Sequence, residues 1–231
     1  MTRTLDDVEG PHAGARLVVA GAPAAAAEVA AVLVHGRGGT PEGLVRLLRE
    51  VSRPGVTLIA PGARRASWFP TPHDGPTPRN EPALTSAVDC VDAAIDVARA
   101  AGVPAERTVL VGVSQGGCVV AEHLRRRPRR FGGAFVVSAA LPGPRAEFDD
   151  DVAEHDADLD GTPVLLSSSE SDPAVPVDRV HATARTLDRL GAAVETRLDP
   201  GAGHGLSDAT MTRIGDRLDA LLSASGASGR S

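Results

Sequence analysis

The residues best suited to catalysis lie at positions 112–117, Gly-Val-Ser-Gln-Gly-Gly, where Ser114 stands between glycines. An apolar run typical of a β-strand precedes this segment, and a helical pattern follows it. A serine on such a tight strand-to-helix turn has its hydroxyl exposed above the sheet, where it can act as a nucleophile. Side chains at positions 112 and 116 would collide with neighbouring elements, which accounts for the two glycines there. We therefore predict that Ser114 is a nucleophile.

A serine hydroxyl needs a general base, and the base needs an acid that orients it. After a turn of this kind, the acid and then the histidine follow later strands of the sheet. The second-to-last predicted strand is followed by Asp172, with Glu170 as the alternative acid. The last predicted strand is followed by His204, which is flanked by glycines that leave room for its ring. The sequence therefore predicts a Ser114–Asp172–His204 triad.

Five other histidines are given no catalytic role. His12, His73 and His155 lie in polar loops, where we expect them to be solvated. His123 is on the helix after the serine and is predicted to be structural, and His181 is predicted to lie on a helix surface.

Acyl transfer develops an oxyanion that backbone N–H groups must stabilise. Gln115, directly after the nucleophile, supplies one donor. The second is expected from the turn His-Gly-Arg-Gly-Gly at residues 35–39, with Arg37 as the first choice and Gly38 as the second. The alternative is a plain strand–helix turn. A phosphate site is disfavoured because the turn lacks the spacing and the lysine of a phosphate-binding loop.

Further residues are predicted to shape the substrate site. Trp68 and Phe69 lie in a proline-rich stretch that leaves the carboxyl end of a strand, where open α/β sheets bind ligands. They are predicted to form a wall of the pocket, and the alternative is that they only anchor the stretch. Gly36 and Gly38 let the backbone approach a substrate. The Arg37 side chain either pairs with a carboxylate or phosphate of the substrate or faces solvent.

The elements that must position these residues alternate between strand and helix patterns. Strands are predicted at residues 16–20, 30–35, 56–60, 108–113, 134–138, 163–168 and 194–198, several of them continuous apolar runs. Helices are predicted to start at Thr40-Pro41 and to span residues 82–101, 116–127, 177–190 and 207–223. This alternation predicts an α/β fold with a mostly parallel sheet, helices on both faces and no large cap domain.

The composition sets limits on function. The 231 residues fit one domain over residues 1–223, followed by a flexible tail over residues 224–231. All 24 basic residues are arginine, which excludes lysine Schiff bases, and the net charge of −6 disfavours a nucleic-acid partner. The two cysteines are far apart and support neither a zinc cluster nor a disulfide framework. No membrane insertion and no signal peptide are expected, so we predict a cytoplasmic protein.

Together these segments resemble the α/β-hydrolase fold and, within it, the phospholipase/carboxylesterase family that includes acyl-protein thioesterases. The resemblance rests on residues 33–39, 67–69, 80–84, 112–117, 172–176 and 203–205. It implies the Ser114–Asp172–His204 triad, an oxyanion hole from Arg37 and Gln115, and no metal or cofactor. It also implies hydrolysis of small-molecule carboxylic esters or thioesters, and homodimers are common in the family.

The chain departs from the family pattern around the acyl site. Val113 stands where Phe is usual, Pro70 where Asp is common, and Ala202 where Met is frequent. The acidic stretch at residues 142–160 is a poor wall for a long lipid tail and is a candidate lid. We therefore expect short- to medium-chain acyl groups, with a lysophospholipase or an acyl-protein thioesterase as the alternative. A non-catalytic binding relative of the same fold and a serine peptidase are the other readings.

Overall fold

The computed structural model describes residues 1–148, 158–201 and 203–228, and the strands in these ranges form one sheet. They are β1 (Thr2–Leu5), β2 (Ala15–Gly21), β3 (Val29–Val34), β4 (Val56–Pro61), β5 (Thr108–Val113), β6 (Gly133–Val137), β7 (Pro163–Ser169) and β8 (Ala193–Asp199). Their order across the sheet is β1-β2-β4-β3-β5-β6-β7-β8. The strands from β3 to β8 pair in parallel, whereas β1 with β2 and β2 with β4 are antiparallel. The predicted mostly parallel α/β sheet is confirmed.

Each of the seven predicted strands is present, with bounds within one residue of the prediction. Strand β1 was not predicted because its sequence, Thr-Arg-Thr-Leu, carries little apolar signal, and only Leu5 in it is buried. This strand exists because it pairs with β2 at the sheet edge, with Arg3 opposite Leu17. Its formation is therefore decided by tertiary pairing.

The helices of the described residues are α1 (Pro41–Leu48), α2 (Ala83–Ala100), α3 (Gln115–Arg126), α4 (Val177–Arg189) and α5 (Asp208–Ser228). The predicted start of α1 is confirmed, since the Thr40 side chain accepts a hydrogen bond from the Gly43 N–H at 3.1 Å. Helix α5 continues past the predicted end at residue 223, because extending an existing helix avoids the cost of nucleation. Residues 229–231 of the predicted tail lie outside the described residues.

Two apolar clusters lie on opposite faces of the sheet, because successive side chains of a strand point to opposite sides. On β3, Val32 belongs to a cluster that α2, α3 and α4 cover, and Leu33 belongs to one that α1 and α5 cover. All six residues of β3 are buried, as expected for a central parallel strand. The predicted helices on both faces are confirmed.

The carboxyl ends of the parallel strands meet at one edge of the sheet. The loops after β3, β4, β5, β7 and β8 therefore leave the sheet on the same side, and they carry the predicted site residues. Residues 149–157 of the acidic stretch at residues 142–160, the candidate lid, lie outside the described residues.

Candidate active site

Ser114 occupies the one-residue turn between β5 and α3. Its φ of 54° and ψ of −125° place it in a conformation that residues with a Cβ seldom adopt. The neighbouring glycines make this turn possible, since a Cβ on Gly112 would lie 2.4 Å from the Gly116 carbonyl oxygen. A Cβ on Gly116 would lie 2.1 Å from the Val34 carbonyl oxygen. Both predicted steric reasons for glycine therefore hold, and the turn presents the serine hydroxyl at the carboxyl end of the sheet.

The structure brings together the three side chains predicted as a triad, from loops after three different strands. The Nε2 atom of His204 lies 2.8 Å from Ser114 Oγ. The Nδ1 atom of His204 lies 3.0 Å from each carboxylate oxygen of Asp172. Glu170, the alternative acid, is exposed, and it is Asp172 that contacts the imidazole.

The Asp172 carboxylate is completely shielded from solvent. Burial by itself would raise the pKa of Asp172, but hydrogen bonds from the Ala174 and Val175 N–H groups and from the His204 ring outweigh it. The pKa of Asp172 consequently lies below its usual value, and the group is ionised at neutral pH. An ionised acid at this position orients the imidazole with its proton on Nδ1 and leaves Nε2 free to accept a proton from the serine.

Two serines that the sequence analysis did not single out hold the loop that carries His204. Ser138 Oγ, at the end of β6, accepts a hydrogen bond from the Gly205 N–H at 2.9 Å. Ser169 Oγ, at the end of β7, accepts one from the Gly203 N–H at 3.0 Å and donates one to the Gly203 carbonyl at 2.6 Å. Serines at the carboxyl ends of two neighbouring predicted strands were the available signal. These contacts fix both neighbours of the histidine.

The two predicted oxyanion donors lie beside the nucleophile. Arg37 and Gln115 line one cavity together with Ser114 and His204. Within the described part of the chain, neither the Arg37 nor the Gln115 backbone N–H donates a hydrogen bond, and the Gln115 N–H is at the first turn of α3. The prediction of Gly38 as the alternative oxyanion donor is corrected, because its N–H already donates to the Ala66 carbonyl at 2.7 Å. Gly36 lies against the turn, since a Cβ there would come within 3.3 Å of Ser114 Cβ.

Arg37 is exposed, as the solvent-facing alternative predicts, and its guanidinium also makes contacts within the protein. Its guanidinium donates to the backbone carbonyls of Phe69 at 3.0 Å, Thr71 at 3.2 Å and Pro70 at 3.5 Å. The arginine thus binds the loop after β4 to the loop after β3, and this partly occupies the donors that a charged substrate would need.

Trp68 was predicted to line the pocket, and this prediction is corrected. Its side chain is 0% exposed, packs against the rings of His12 and His35, and donates from Nε1 to the His35 carbonyl at 2.7 Å. The large indole lies beneath the loop because its N–H finds a buried acceptor there. Phe69, by contrast, lines the cavity as predicted.

The prediction that His12 and His73 are solvated is also corrected. His12 is buried, with Nε2 at 2.8 Å from the Trp68 carbonyl and Nδ1 accepting from the Arg64 N–H. His73 is half-buried and lines the cavity beside Ser114. Burial lowers the pKa of His73, and the positive charge of Arg179 lowers it further, so the ring is neutral at neutral pH. The loop around His73 is polar, so no pattern in the sequence marks this position as buried.

The cavity beside Ser114 has a volume of about 180 Å³. Its remaining lining comes from Pro72, Cys118, Ser138, Ala174 and Val175. In residues 1–148, 158–201 and 203–228, no group of His, Cys, Asp and Glu side chains is arranged to hold a metal ion. None of the helices in those ranges has the length and apolar character needed to cross a bilayer.

Comparison with known proteins assigns the family. The model of the phospholipase/carboxylesterase family matches residues 15–222, nearly the whole of the described chain. The chain belongs to the phospholipase/carboxylesterase family. A probable carboxylesterase SOBER1-like of Arabidopsis thaliana is 29% identical over 171 residues, which are 72% of this chain and 63% of that relative. Acyl-protein thioesterase 1 of Gibberella zeae is 36% identical over 103 residues, which are 45% of this chain and 43% of that relative.

The chain therefore spans less than two thirds of the length of these two curated relatives. A crystal structure of a phospholipase/carboxylesterase from Dyadobacter fermentans superimposes with a TM-score of 0.79 at 32% identity, and it covers 87% of this chain and 95% of the other. The family match and this likeness confirm the predicted α/β-hydrolase fold.

Proposed function

We propose that this protein of the phospholipase/carboxylesterase family is a serine hydrolase that cleaves carboxylic esters or thioesters through an acyl-enzyme. The observation that carries the proposal is the continuous chain of contacts from Asp172 through His204 to Ser114, with distances of 3.0 and 2.8 Å. A nucleophile, a base and an orienting acid within hydrogen-bond distance are the requirements for acyl transfer.

In the proposed mechanism, His204 Nε2 removes the proton from Ser114 Oγ as the oxygen attacks the carbonyl carbon. The carbonyl oxygen becomes an oxyanion, and the N–H groups of Arg37 and Gln115 stabilise it. His204 then protonates the leaving alcohol or thiol, and the acyl group remains on Ser114. Water repeats the cycle and releases the acid. Asp172 holds the imidazole in the productive tautomer and stabilises its cation.

The size of the cavity supports a short- to medium-chain acyl group. Its volume of about 180 Å³ is small beside the ~300–1,000 Å³ of common ligand pockets. Phe69, Val175 and Ala174 give it an apolar lining suited to an alkyl chain. The substrate of this proposal is therefore a small-molecule ester or thioester, and catalysis needs no metal or cofactor.

Labelling with a fluorophosphonate probe tests the proposal. The wild-type protein should be labelled, and Ser114→Ala should not be. Ser223→Ala is the matched control, because that serine lies on α5 and its hydroxyl donates to the Asp219 carbonyl of the same helix. An unlabelled wild type, or equal labelling of Ser114→Ala, would overturn the proposed hydrolase function. The remaining alternative would be a non-catalytic binding relative of the same fold.

Hydrolysis of a series of nitrophenyl esters tests the acyl preference. We expect kcat/KM to peak at short to medium chains, because the cavity cannot enclose a long one. A peak at long chains of lysophospholipid or palmitoyl length would contradict this preference and favour a lysophospholipase or acyl-protein thioesterase.

The compartment and the assembly belong to the same proposal. Cys90 and Cys118 are buried free thiols, a state that suits the reducing cytoplasm. The homodimer that the family resemblance implies stays a prediction, and size-exclusion chromatography with light scattering tests it.

A further inference from the structure

The side chains of Arg37 and Gln115, the two residues that supply the proposed oxyanion donors, both donate hydrogen bonds to the Phe69 backbone carbonyl. We propose that the side chains of Arg37 and Gln115 are positioning residues, which fix their own backbone N–H groups relative to each other through residues 66–71. We call these residues the bridging segment. The inference rests on the proposed function and adds a second role to each residue.

Gln115 joins the bridging segment to the nucleophile turn. Its Oε1 accepts a hydrogen bond from the Trp68 N–H at 2.9 Å, and its Nε2 donates one to the Phe69 carbonyl at 2.8 Å. The side chain is buried, with 6% of its surface exposed. Both ends of this buried amide are therefore hydrogen-bonded, and a buried polar group that loses its partner is costly.

Arg37 joins the same segment to the loop after β3. Its Nη2 donates to the Phe69 carbonyl at 3.0 Å, so this oxygen accepts from both Arg37 and Gln115. Ser67 Oγ also donates to it, at 3.0 Å. A carbonyl oxygen with several donors is held firmly, because each bond restricts its direction.

Two more contacts hold the segment to the loop after β3. Trp68 Nε1 donates to the His35 carbonyl at 2.7 Å, and the Gly38 N–H donates to the Ala66 carbonyl at 2.7 Å. Ala66 has a φ of 54°, which is uncommon for a residue with a Cβ. The bridging segment thus connects the turn that carries Arg37 with the start of α3, which carries Gln115.

This connection matters because the two donors stand on separate elements. The Arg37 N–H belongs to a glycine-rich turn, and the Gln115 N–H belongs to the start of α3. An oxyanion hole works when both donors lie at hydrogen-bond distance from the developing charge before the reaction begins. A rigid bridge between the loops supplies that preorganisation, and the turn glycines alone do not.

Kinetics of side-chain variants test the proposal. Arg37→Met and Gln115→Met each keep the backbone N–H and remove the contacts to the Phe69 carbonyl. We expect kcat for a nitrophenyl ester to fall about 10- to 100-fold, as for small misplacements of catalytic groups, with KM nearly unchanged. The inhibition constant of an alkyl boronic acid, which forms a tetrahedral adduct on the serine, should rise by a similar factor.

Conservative and control variants separate positioning from stability. Arg37→Lys keeps a cation that can reach one carbonyl and should recover part of the lost kcat. Arg107→Ala removes an arginine contact of the same kind, to the Glu28 carbonyl at 2.6 Å, at the opposite edge of the sheet. It should leave kcat and boronic-acid affinity at the wild-type values. In the double variant of Arg37 and Gln115, the loss should be smaller than the product of the single losses, because both side chains act on one carbonyl.

The proposal is overturned if both Met variants keep the kcat and the boronic-acid affinity of the wild type. It is also overturned if they lower only the melting temperature, or if the losses multiply in the double variant. These outcomes differ from failure of the proposed function, in which the wild type itself would neither hydrolyse esters nor react with the fluorophosphonate.

Discussion

Replacing Asp172 by asparagine tests the proposed role of the acid with almost no change in shape. One carboxylate oxygen accepts the N–H groups of Ala174 and Val175 at 2.8 and 3.1 Å, and an amide oxygen can keep both bonds. The amide NH₂ then takes the place of the other oxygen, 3.0 Å from His204 Nδ1. Because it donates, it stabilises the tautomer with the proton on Nε2. That proton faces Ser114, so His204 Nε2 can no longer accept the proton of the serine hydroxyl.

The expected loss follows from this change of tautomer. The corresponding substitution in other serine triads lowers kcat by about 10⁴, which corresponds to about 5 kcal/mol of transition-state stabilisation. KM should change little, since the Asp172 side chain is shielded from solvent and lies outside the lining of the cavity. The free energy of unfolding should also change little, because the two backbone bonds survive.

Steady-state hydrolysis of a short nitrophenyl ester measures the loss, and ¹⁵N NMR of the imidazole reports the tautomer. Asp178→Asn is the matched control, since that carboxylate on α4 is exposed and pairs with Arg145, and its loss should leave kcat unchanged. An Asp172→Asn variant that keeps kcat within about tenfold of wild type, a loss of only ~1.4 kcal/mol, would refute the tautomer argument.

Three further predictions concern stability and reactivity. Burial alone would raise the pKa of Asp92, but its pairing with His123 and with arginines holds the pKa well below the usual range. Asp92→Asn should therefore lower the free energy of unfolding by about 2 kcal/mol at neutral pH. In urea melts, the stability difference between this variant and the wild type should shrink as the pH falls below ~4, because the contribution of the ionised carboxylate is lost there. Asp96→Asn, which removes an exposed ion pair, should change the free energy of unfolding little at either pH. Gly116→Ala should abolish soluble folded protein, as judged by circular dichroism, because its Cβ would lie 2.1 Å from a backbone oxygen; a folded, active variant would disprove this. Burial raises the pKa of Cys90 to about 12 and that of Cys118 to about 11, so a maleimide at neutral pH should label neither thiol until the protein is unfolded, and fast labelling of the native protein would contradict it.

Much of the candidate site was predictable because each residue has a local signal. Ser114 lies in a turn whose glycines are required by direct backbone contact with the next elements. Asp172 and His204 follow strands that are recognisable as apolar runs, and parallel strands bring their carboxyl ends to one edge. Chain order and strand polarity were therefore enough to predict which loops would meet.

The residues that the sequence did not reveal owe their role to contacts between loops. Trp68 is exposed to neither solvent nor substrate because a buried carbonyl accepts its N–H, and this acceptor is distant in sequence. His73 lies in a polar stretch, and only the packing of that stretch over the sheet edge brings it into the cavity. Ser138 and Ser169 look like ordinary strand ends until the His204 loop is placed beside them.

The sequence by itself therefore determined the alternation of strands and helices, the nucleophile turn and the order of the predicted triad. Each depends on hydrophobic period or on the steric limits of a few consecutive residues. The tertiary structure decided the pairing of β1, the burial of Trp68 and the hydrogen bonds that Arg37 and Gln115 both donate to the Phe69 carbonyl. Those outcomes depend on hydrogen bonds between segments more than 30 residues apart or on edge pairing, and no local pattern encodes which distant partner a polar group will meet.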